Sequence, residues 1–251
     1  MARGQSSHIG VARQNRLRLW LVGHFRLTAP GAEVALGECG ARLLALLALR
    51  QGRTTRACAA GTLWPETSDD HAQCSLRSAL SRLPGAARRA VDVNGHDLSL
   101  AAGVEVDLHE RRSLAFRLLD PSCASQAADL RCEAMHELSI DLLPDWYDDW
   151  IGPEAAAWSQ LRVHALEALA GRLVQRRRFG EAAAAATVAV RADPLRESAR
   201  AALVRVYLAE GNQSDALGEF YRYRRLIRAE LGLEPTALLG DLMRDLHPAA
   251  A

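Results

Sequence analysis

The stretch Asp69-Asp-His-Ala-Gln-Cys-Ser-Leu-Arg-Ser-Ala-Leu-Ser-Arg-Leu83, followed by Pro84-Gly85, decides the fold. Its apolar residues recur three and four positions apart, which predicts a helix with one buried face. These residues are Ala72, Leu76, Ala79, Leu80 and Leu83. The helix is predicted to end before Pro84, because the residue preceding a proline is restricted to extended conformations.

A β-hairpin is predicted directly after this helix. Residues 90–100 read Ala-Val-Asp-Val-Asn-Gly-His-Asp-Leu-Ser-Leu, and Asn-Gly between two alternating apolar segments is the strongest short-range hairpin signal. Upstream, helices are predicted from about residue 40 to 50, and from a cap at Thr54 or Thr55 to Trp64. Period-two alternation and turn residues predict short strands at about 16–28, 33–36 and 103–106. Strands, three helices and a hairpin in this order are typical of a winged helix-turn-helix domain, whose third helix enters the DNA major groove.

The rest of the chain is predicted to be helical. Helices are expected at about 107–119, 125–142, 154–177, 180–192, 195–210, 213–231 and 235–246. Glu181-Ala182 and Asp215-Ala216 lie 34 residues apart and begin two matching segments, a period typical of tetratricopeptide helix pairs. The predicted fold class is therefore an α+β winged helix-turn-helix domain followed by an all-α, tetratricopeptide-like domain. The predicted boundaries are a disordered N-terminus at 1–15, then domains at 16–106 and 107–251.

The charge distribution differs between the two predicted domains. Residues 1–106 carry 13 arginines against 8 acidic residues, whereas residues 107–251 carry 18 arginines against 22. A net charge of +5 in front and −4 behind favours contact between the front domain and a polyanion.

Composition and motifs indicate a binding protein and not an enzyme. The chain contains no lysine, which excludes a Walker A loop and Schiff-base chemistry, and no nucleophile–base pair appears. We expect no cofactor and no metal: no cysteine pair has C-x-x-C spacing, and His71 with Cys74 offers only two ligands. Met1 to Gln14 lacks an apolar signal region and no apolar run could span a bilayer, so we expect a cytoplasmic protein without membrane contact.

The third helix and the hairpin carry the candidate DNA-binding residues. The helix face opposite the leucines carries Cys74, Arg77, Ser78, Ser81 and Arg82. Arginine can bind guanine through two hydrogen bonds, and serine hydroxyls can bind phosphates or base edges. The predicted phosphate contacts near the hairpin are Arg88, Arg89, Asn94 and His96. The alternative for both groups is an ordinary solvated surface.

A cluster of tryptophans, Trp146, Trp150 and Trp158, lies in and after the acidic stretch 145–150. It could form a sugar-binding or acid–base site, but we expect these side chains to dock helices on one another.

The chain resembles the Streptomyces antibiotic regulatory protein family from about Arg16 to Leu246. The motifs that carry the resemblance are Leu63-Trp-Pro-Glu66, Ser75-Leu-Arg-Ser-Ala-Leu-Ser-Arg-Leu83, Leu142-Leu-Pro-Asp-Trp-Tyr-Asp-Asp-Trp150, Asp193-Pro-Leu-Arg-Glu197 and Glu230-Leu-Gly-Leu-Glu-Pro235. The resemblance implies a transcriptional activator that binds promoter direct repeats, recruits RNA polymerase and usually serves secondary-metabolite gene clusters. It also implies a homodimer, at least on DNA.

The sequence departs from the family where Pro84-Gly85 shortens the third helix, since relatives continue with basic residues there. The alternative function is therefore a protein-interaction adaptor whose winged domain has lost DNA binding.

Overall fold

The computed structural model describes residues 16–122 and 127–244, which fall into two compact units. The first unit contains the chain up to Glu110 together with residues 141–155, and the second contains 111–140 and everything after 155. The predicted disordered N-terminus, residues 1–15, lies outside the described residues.

A small sheet opens the first unit. Its strands are β1 (Arg18–Trp20), β2 (Arg26–Ala29), β3 (Ala32–Glu33) and β7 (Glu105–Val106), in the order β3-β2-β1-β7. Strand β7 runs parallel to β1, and the other pairs are antiparallel. The predicted strand over 16–28 is interrupted because Gly23 adopts a left-handed conformation with φ of +89°, which reverses the chain between β1 and β2.

Three helices and a short fourth follow. They are α1 (Glu38–Arg50), α2 (Arg56–Leu63), α3 (Asp69–Arg82) and α4 (Gly85–Arg88). Thr55 caps α2, because its hydroxyl oxygen accepts a hydrogen bond from the Cys58 amide at 3.1 Å. Helix α3 ends at Arg82, since Leu83 is extended in front of Pro84.

The predicted hairpin is confirmed and is part of a three-stranded sheet. Strands β4 (Thr54–Thr55), β5 (Val91–Asn94) and β6 (Asp97–Leu100) pair antiparallel in the order β4-β6-β5. Asn94 opposes Asp97 across the turn, where Gly95 has φ of +59°. We call β5, β6 and this turn the wing.

A return segment, residues 141–155, completes the first unit. The Leu143 amide donates a hydrogen bond to the Leu21 carbonyl at 3.0 Å, and the Gly23 amide donates to the Asp141 carbonyl at 2.7 Å. The Trp146 ring stacks on Phe25 with 5.5 Å between ring centroids. Trp146 therefore docks the return segment on the residue before β2, whereas the prediction had it docking helices on one another.

The second unit is built from helices. They are α5 (Asp107–Leu119, shared with the first unit), α6 (Cys132–Ser139), α7 (Gly152–Gln175, which begins in the return segment), α8 (Phe179–Ala192), α9 (Glu197–Glu210), α10 (Gln213–Leu231) and α11 (Ala237–Arg244). Helix α9 packs against α8, α10 and α11. Ala182, Ala186 and Ala189 are fully buried, so small side chains let α8 approach its neighbours closely as the repeat pattern predicts.

The prediction of one helix over 125–142 was wrong. The chain instead forms a 3-10 turn at Ala127–Leu130 and the eight-residue α6, with 123–126 outside the described residues. Helix α6 ends at Ser139, because two side chains of α7 donate hydrogen bonds to the carbonyls at its C-terminus. The Trp158 indole donates to the Ile140 carbonyl, and Arg162 donates to the Ser139 carbonyl, each at 3.0 Å. Every described helix is too short or too polar to cross a bilayer.

Candidate nucleic-acid interface

Helix α3 has two chemically distinct faces. Ala72, Leu76, Ala79 and Leu80 are buried, with Leu76 only 1% exposed, and they anchor the helix in the first unit. The opposite face is exposed along its length. It carries the five helix residues that were predicted to contact DNA, which are Cys74, Arg77, Ser78, Ser81 and Arg82. The structure therefore brings these five side chains together on one solvent-facing surface, which we call the outer face of α3.

Hydrogen bonds within the outer face determine which of its side-chain donors are available to a ligand. Arg77 Nη2 lies 2.8 Å from Cys74 Sγ, so the guanidinium is held along the helix by a weak acceptor. The Ser81 hydroxyl donates to the Ser78 carbonyl at 3.0 Å and must rotate before it can donate to a phosphate. The Arg82 guanidinium has no side-chain partner within the described part of the chain.

The two arginines after α3 occupy different environments. Arg88 Nη1 donates to the Leu80 carbonyl at 2.7 Å, which satisfies one of the open carbonyls at the end of α3. Arg89 is exposed and forms no side-chain hydrogen bond with the residues that the structure describes. Both arginines are exposed, and Arg88 in addition stabilises the end of α3.

The wing tip lies beside the start of α2. Asn94 and His96 are both exposed at the turn. The Arg56 amide donates to the His96 carbonyl at 2.8 Å, and Arg56 Nε donates to the Gly95 carbonyl at 3.3 Å. Arg56 thus joins the wing tip as a basic group that sequence reasoning missed, because about forty residues separate it from the turn in sequence.

Charge is distributed unevenly along this surface. Asp69 and Asp70 occupy the first turn of α3, where they stabilise the helix dipole and repel phosphate. Arg82 lies in the last turn of α3, and Arg89 follows after α4. A polyanion is therefore attracted to the C-terminal half of α3 and away from its first turn.

A groove of about 490 Å³ runs along one side of the outer face. Its lining includes Cys39, Trp64, His71, Cys74 and Arg82. Within the described residues, no group of three or more histidine, cysteine or acidic side chains could hold a metal ion. The groove is a mixed apolar and polar recess that shares Cys74, Ser78 and Arg82 with the outer face.

Three helices with a hairpin wing, joined to stacked helix pairs, define a winged helix-turn-helix protein with a tetratricopeptide-like domain. The model of the bacterial transcriptional activator domain family matches residues 106–247. The chain belongs to this family, and the matches to curated regulators confirm its resemblance to the Streptomyces antibiotic regulatory proteins.

Two curated regulatory proteins and one solved structure are similar to this chain. Regulatory protein AfsR of Streptomyces coelicolor is 30% identical over 93% of this chain, and AfsR of Streptomyces griseus is 27% identical over the same share. The chain spans only 24% and 25% of their lengths. EmbR of Mycobacterium tuberculosis, solved in complex with a low-affinity phosphopeptide, matches 94% of this chain with a TM-score of 0.74 and 25% identity, and 66% of EmbR is covered.

Proposed function

We propose that this chain is a sequence-specific DNA-binding transcriptional activator that binds promoter direct repeats and recruits RNA polymerase. Its targets are genes of a secondary-metabolite, antibiotic-type cluster, and it works in the cytoplasm. The observation that carries the proposal is the exposed outer face of α3, in a chain that also forms a wing and is similar to AfsR.

The proposed roles follow the environment of each side chain. Arg77 and Arg82 read base edges in the major groove, with Cys74, Ser78 and Ser81 lining the same contact. Arg89, Asn94 and His96 contact phosphates from the wing side. Arg88 is exposed as well and contacts phosphate through its other guanidinium donors, while its bond to the Leu80 carbonyl holds the end of α3 in place.

The test is a titration of labelled promoter fragments from neighbouring genes, at several salt concentrations. Arg77→Ala should weaken binding by roughly 5- to 150-fold if the guanidinium reads a guanine, and should relax the preference at that base pair. Arg89→Ala should weaken all sequences about equally and make the salt dependence shallower by about one unit. Arg205→Ala is the matched control, since Arg205 is exposed on α9 of the second unit. Equal operator affinity of Arg77→Ala and the parent, both folded, contradicts the assignment.

We propose that two copies bind together. Direct repeats place protomers on the same face of DNA, about 34–36 Å or a multiple apart, and the helical second unit supplies the contact between them. Sedimentation on a two-repeat operator should give a complex with two chains. A complex with one chain on the same operator contradicts this part of the proposal.

A second candidate is a protein-interaction adaptor without DNA binding. The observations that favour it are the end of α3 at Arg82, the acidic first turn of that helix and the use of Arg88 as an internal partner. The two functions differ in one measurement: an adaptor shows no salt-dependent gel shift on any fragment, whereas the activator does.

A further inference from the structure

Helix α10 presents an arginine-rich face on the surface of the second unit. Gly218, Tyr221, Arg225 and Arg228 follow one another at helical spacing, and with Arg222 and Arg224 they line a surface depression of about 610 Å³. The opposite side of the same helix, with Ala216, Tyr223 and Ile227, is buried in the core between α9 and α11. We call the six lining residues the arginine face.

A carboxylate already occupies part of the arginine face. Glu234, in the loop after α10, accepts a hydrogen bond from Arg224 Nε at 2.7 Å, and its other oxygen lies 3.5 Å from Arg228 Nη1. The pKa of the Glu234 carboxyl is lowered, chiefly because Arg224 donates this hydrogen bond. Two guanidiniums of this face therefore have the spacing that binds one carboxylate, the geometry in which arginine recognises acidic groups.

The remaining two arginines of the face, Arg222 and Arg225, differ in whether a carboxylate of the chain pairs with them. Arg222 donates to Glu219 at 2.9 Å through Nε and at 2.5 Å through Nη2. Arg225 forms no side-chain hydrogen bond or ion pair within the described part of the chain. Arg225 thus supplies an uncommitted guanidinium to the face, about one helical turn from Tyr221, a residue that is 48% exposed.

The extent of the positive charge on this face indicates how long a bound anion can be. The four arginines all lie within residues 222–228 of one helix, and Glu219, Glu230 and Glu234 flank them, so the positive charge has a short extent and favours a short anion over a long polyanion. A short acidic segment engages only the local positive charge. The exposed Tyr221 ring adds an apolar contact that a peptide side chain can use, as aromatic residues do at interface centres.

We propose that the arginine face binds an acidic segment of a partner protein, with carboxylates on Arg225 and its neighbours and an apolar side chain against Tyr221. This goes beyond the proposed function and does not depend on DNA binding by the first unit.

The test uses the full chain and a short fluorescein-labelled peptide rich in glutamate and leucine, followed by fluorescence anisotropy at low and physiological salt. Arg225→Glu should weaken peptide binding by about fivefold or more. Arg205→Glu is the matched control, because it makes the same charge change at another exposed arginine of the second unit that has no side-chain partner among the described residues, and it should leave binding near the parent value. The same peptide with glutamine in place of glutamate should not bind.

Removal of the internal competitor gives a change in the opposite direction. Glu234→Gln should tighten peptide binding about twofold or more, because Arg224 and Arg228 lose the carboxylate that they share. Glu210→Gln, at an exposed acid on α9, is its control and should change binding less. Circular dichroism confirms that each variant is folded.

Three results overturn the inference. One is a parent chain that does not bind the peptide at low salt. Another is equal weakening by Arg225→Glu and Arg205→Glu, which marks a net-charge effect. The third is loss of binding to a non-operator DNA duplex in Arg225→Glu with peptide binding intact, which makes the arginine face a nucleic-acid surface. Failure of Arg77→Ala to change operator binding concerns only the proposed function.

Discussion

Leu76 and Arg77 are neighbours in sequence, but Leu76 is buried and Arg77 is exposed, so substitutions at the two positions test the folding of α3 and its contact with DNA separately. Leu76 is 1% exposed, and Leu76→Ala removes three buried carbons at about 0.8 kcal/mol each, a loss of about 2.4 kcal/mol. The cavity left between α3 and the core adds to this, so the free energy of unfolding should fall by roughly 2–5 kcal/mol. For a unit of this size the midpoint should drop by about 8–20 °C, at about 4 °C per kcal/mol.

The assay is urea and thermal unfolding followed by circular dichroism, with Arg77→Ala as the control. Because Arg77 is exposed and its hydrogen-bond partner among the described residues is Cys74 on its own helix, its replacement should change the free energy of unfolding by less than about 0.5 kcal/mol. The urea m-value should stay constant in both variants. A loss below about 1 kcal/mol in Leu76→Ala, or equal losses in both, would refute the assigned orientation of α3.

Three further predictions follow from charged groups. Glu219→Gln should lower the free energy of unfolding, measured in urea, by roughly 3–5 kcal/mol, because Glu219 is 3% exposed and its loss leaves the partly buried Arg200 without its ion-pair partner. An unchanged free energy of unfolding contradicts this. Asp107→Ala should cost roughly 2–5 kcal/mol, since this buried carboxylate accepts two backbone amide hydrogen bonds; wild-type stability in this variant would show that the amides find other acceptors. The pKa of Glu234 should rise toward its ordinary value near 4.5 in Arg224→Ala, measured by NMR titration. The folded-state pKa of Glu234 is lower than its unfolded-state pKa, so the small contribution of this exposed pair to stability is present above pH 4.5 and is lost as the pH falls through the lowered pKa. An unchanged pKa of Glu234 in Arg224→Ala contradicts the pairing.

Local patterns predicted those parts of the fold that depend on neighbouring residues. Helix α10 occupies the predicted range 213–231, because its apolar spacing is regular and Gly232 ends it in a left-handed conformation with φ of +68°. The hairpin turn was predictable from Asn94-Gly95, because Gly95 adopts the positive φ of +59° that the turn requires. The exposed outer face of α3 was also predictable, since burial of Leu76 turns Arg77 toward solvent.

Contacts between distant parts of the chain could not be read from local patterns. Strand β4 has two residues and exists because it pairs with β6, more than forty residues later. The capping of α3 by Arg88 requires the α4 turn to place the guanidinium near the Leu80 carbonyl. The early end of α6 depends in the same way on Trp158 and Arg162 from the following helix.

The return segment has a consequence for how the protein is made on the ribosome. Residues up to Glu110 emerge first, but the first unit also needs Leu142, Leu143 and Ile151, which are buried. At translation speeds of about 5–20 residues per second, the nascent chain waits several seconds before these residues leave the exit tunnel. During that interval the apolar surface that they cover is open to chaperones and to other nascent chains. A fragment cut after Val106 keeps that surface exposed permanently, so it should aggregate more readily than a fragment that extends past Ala155.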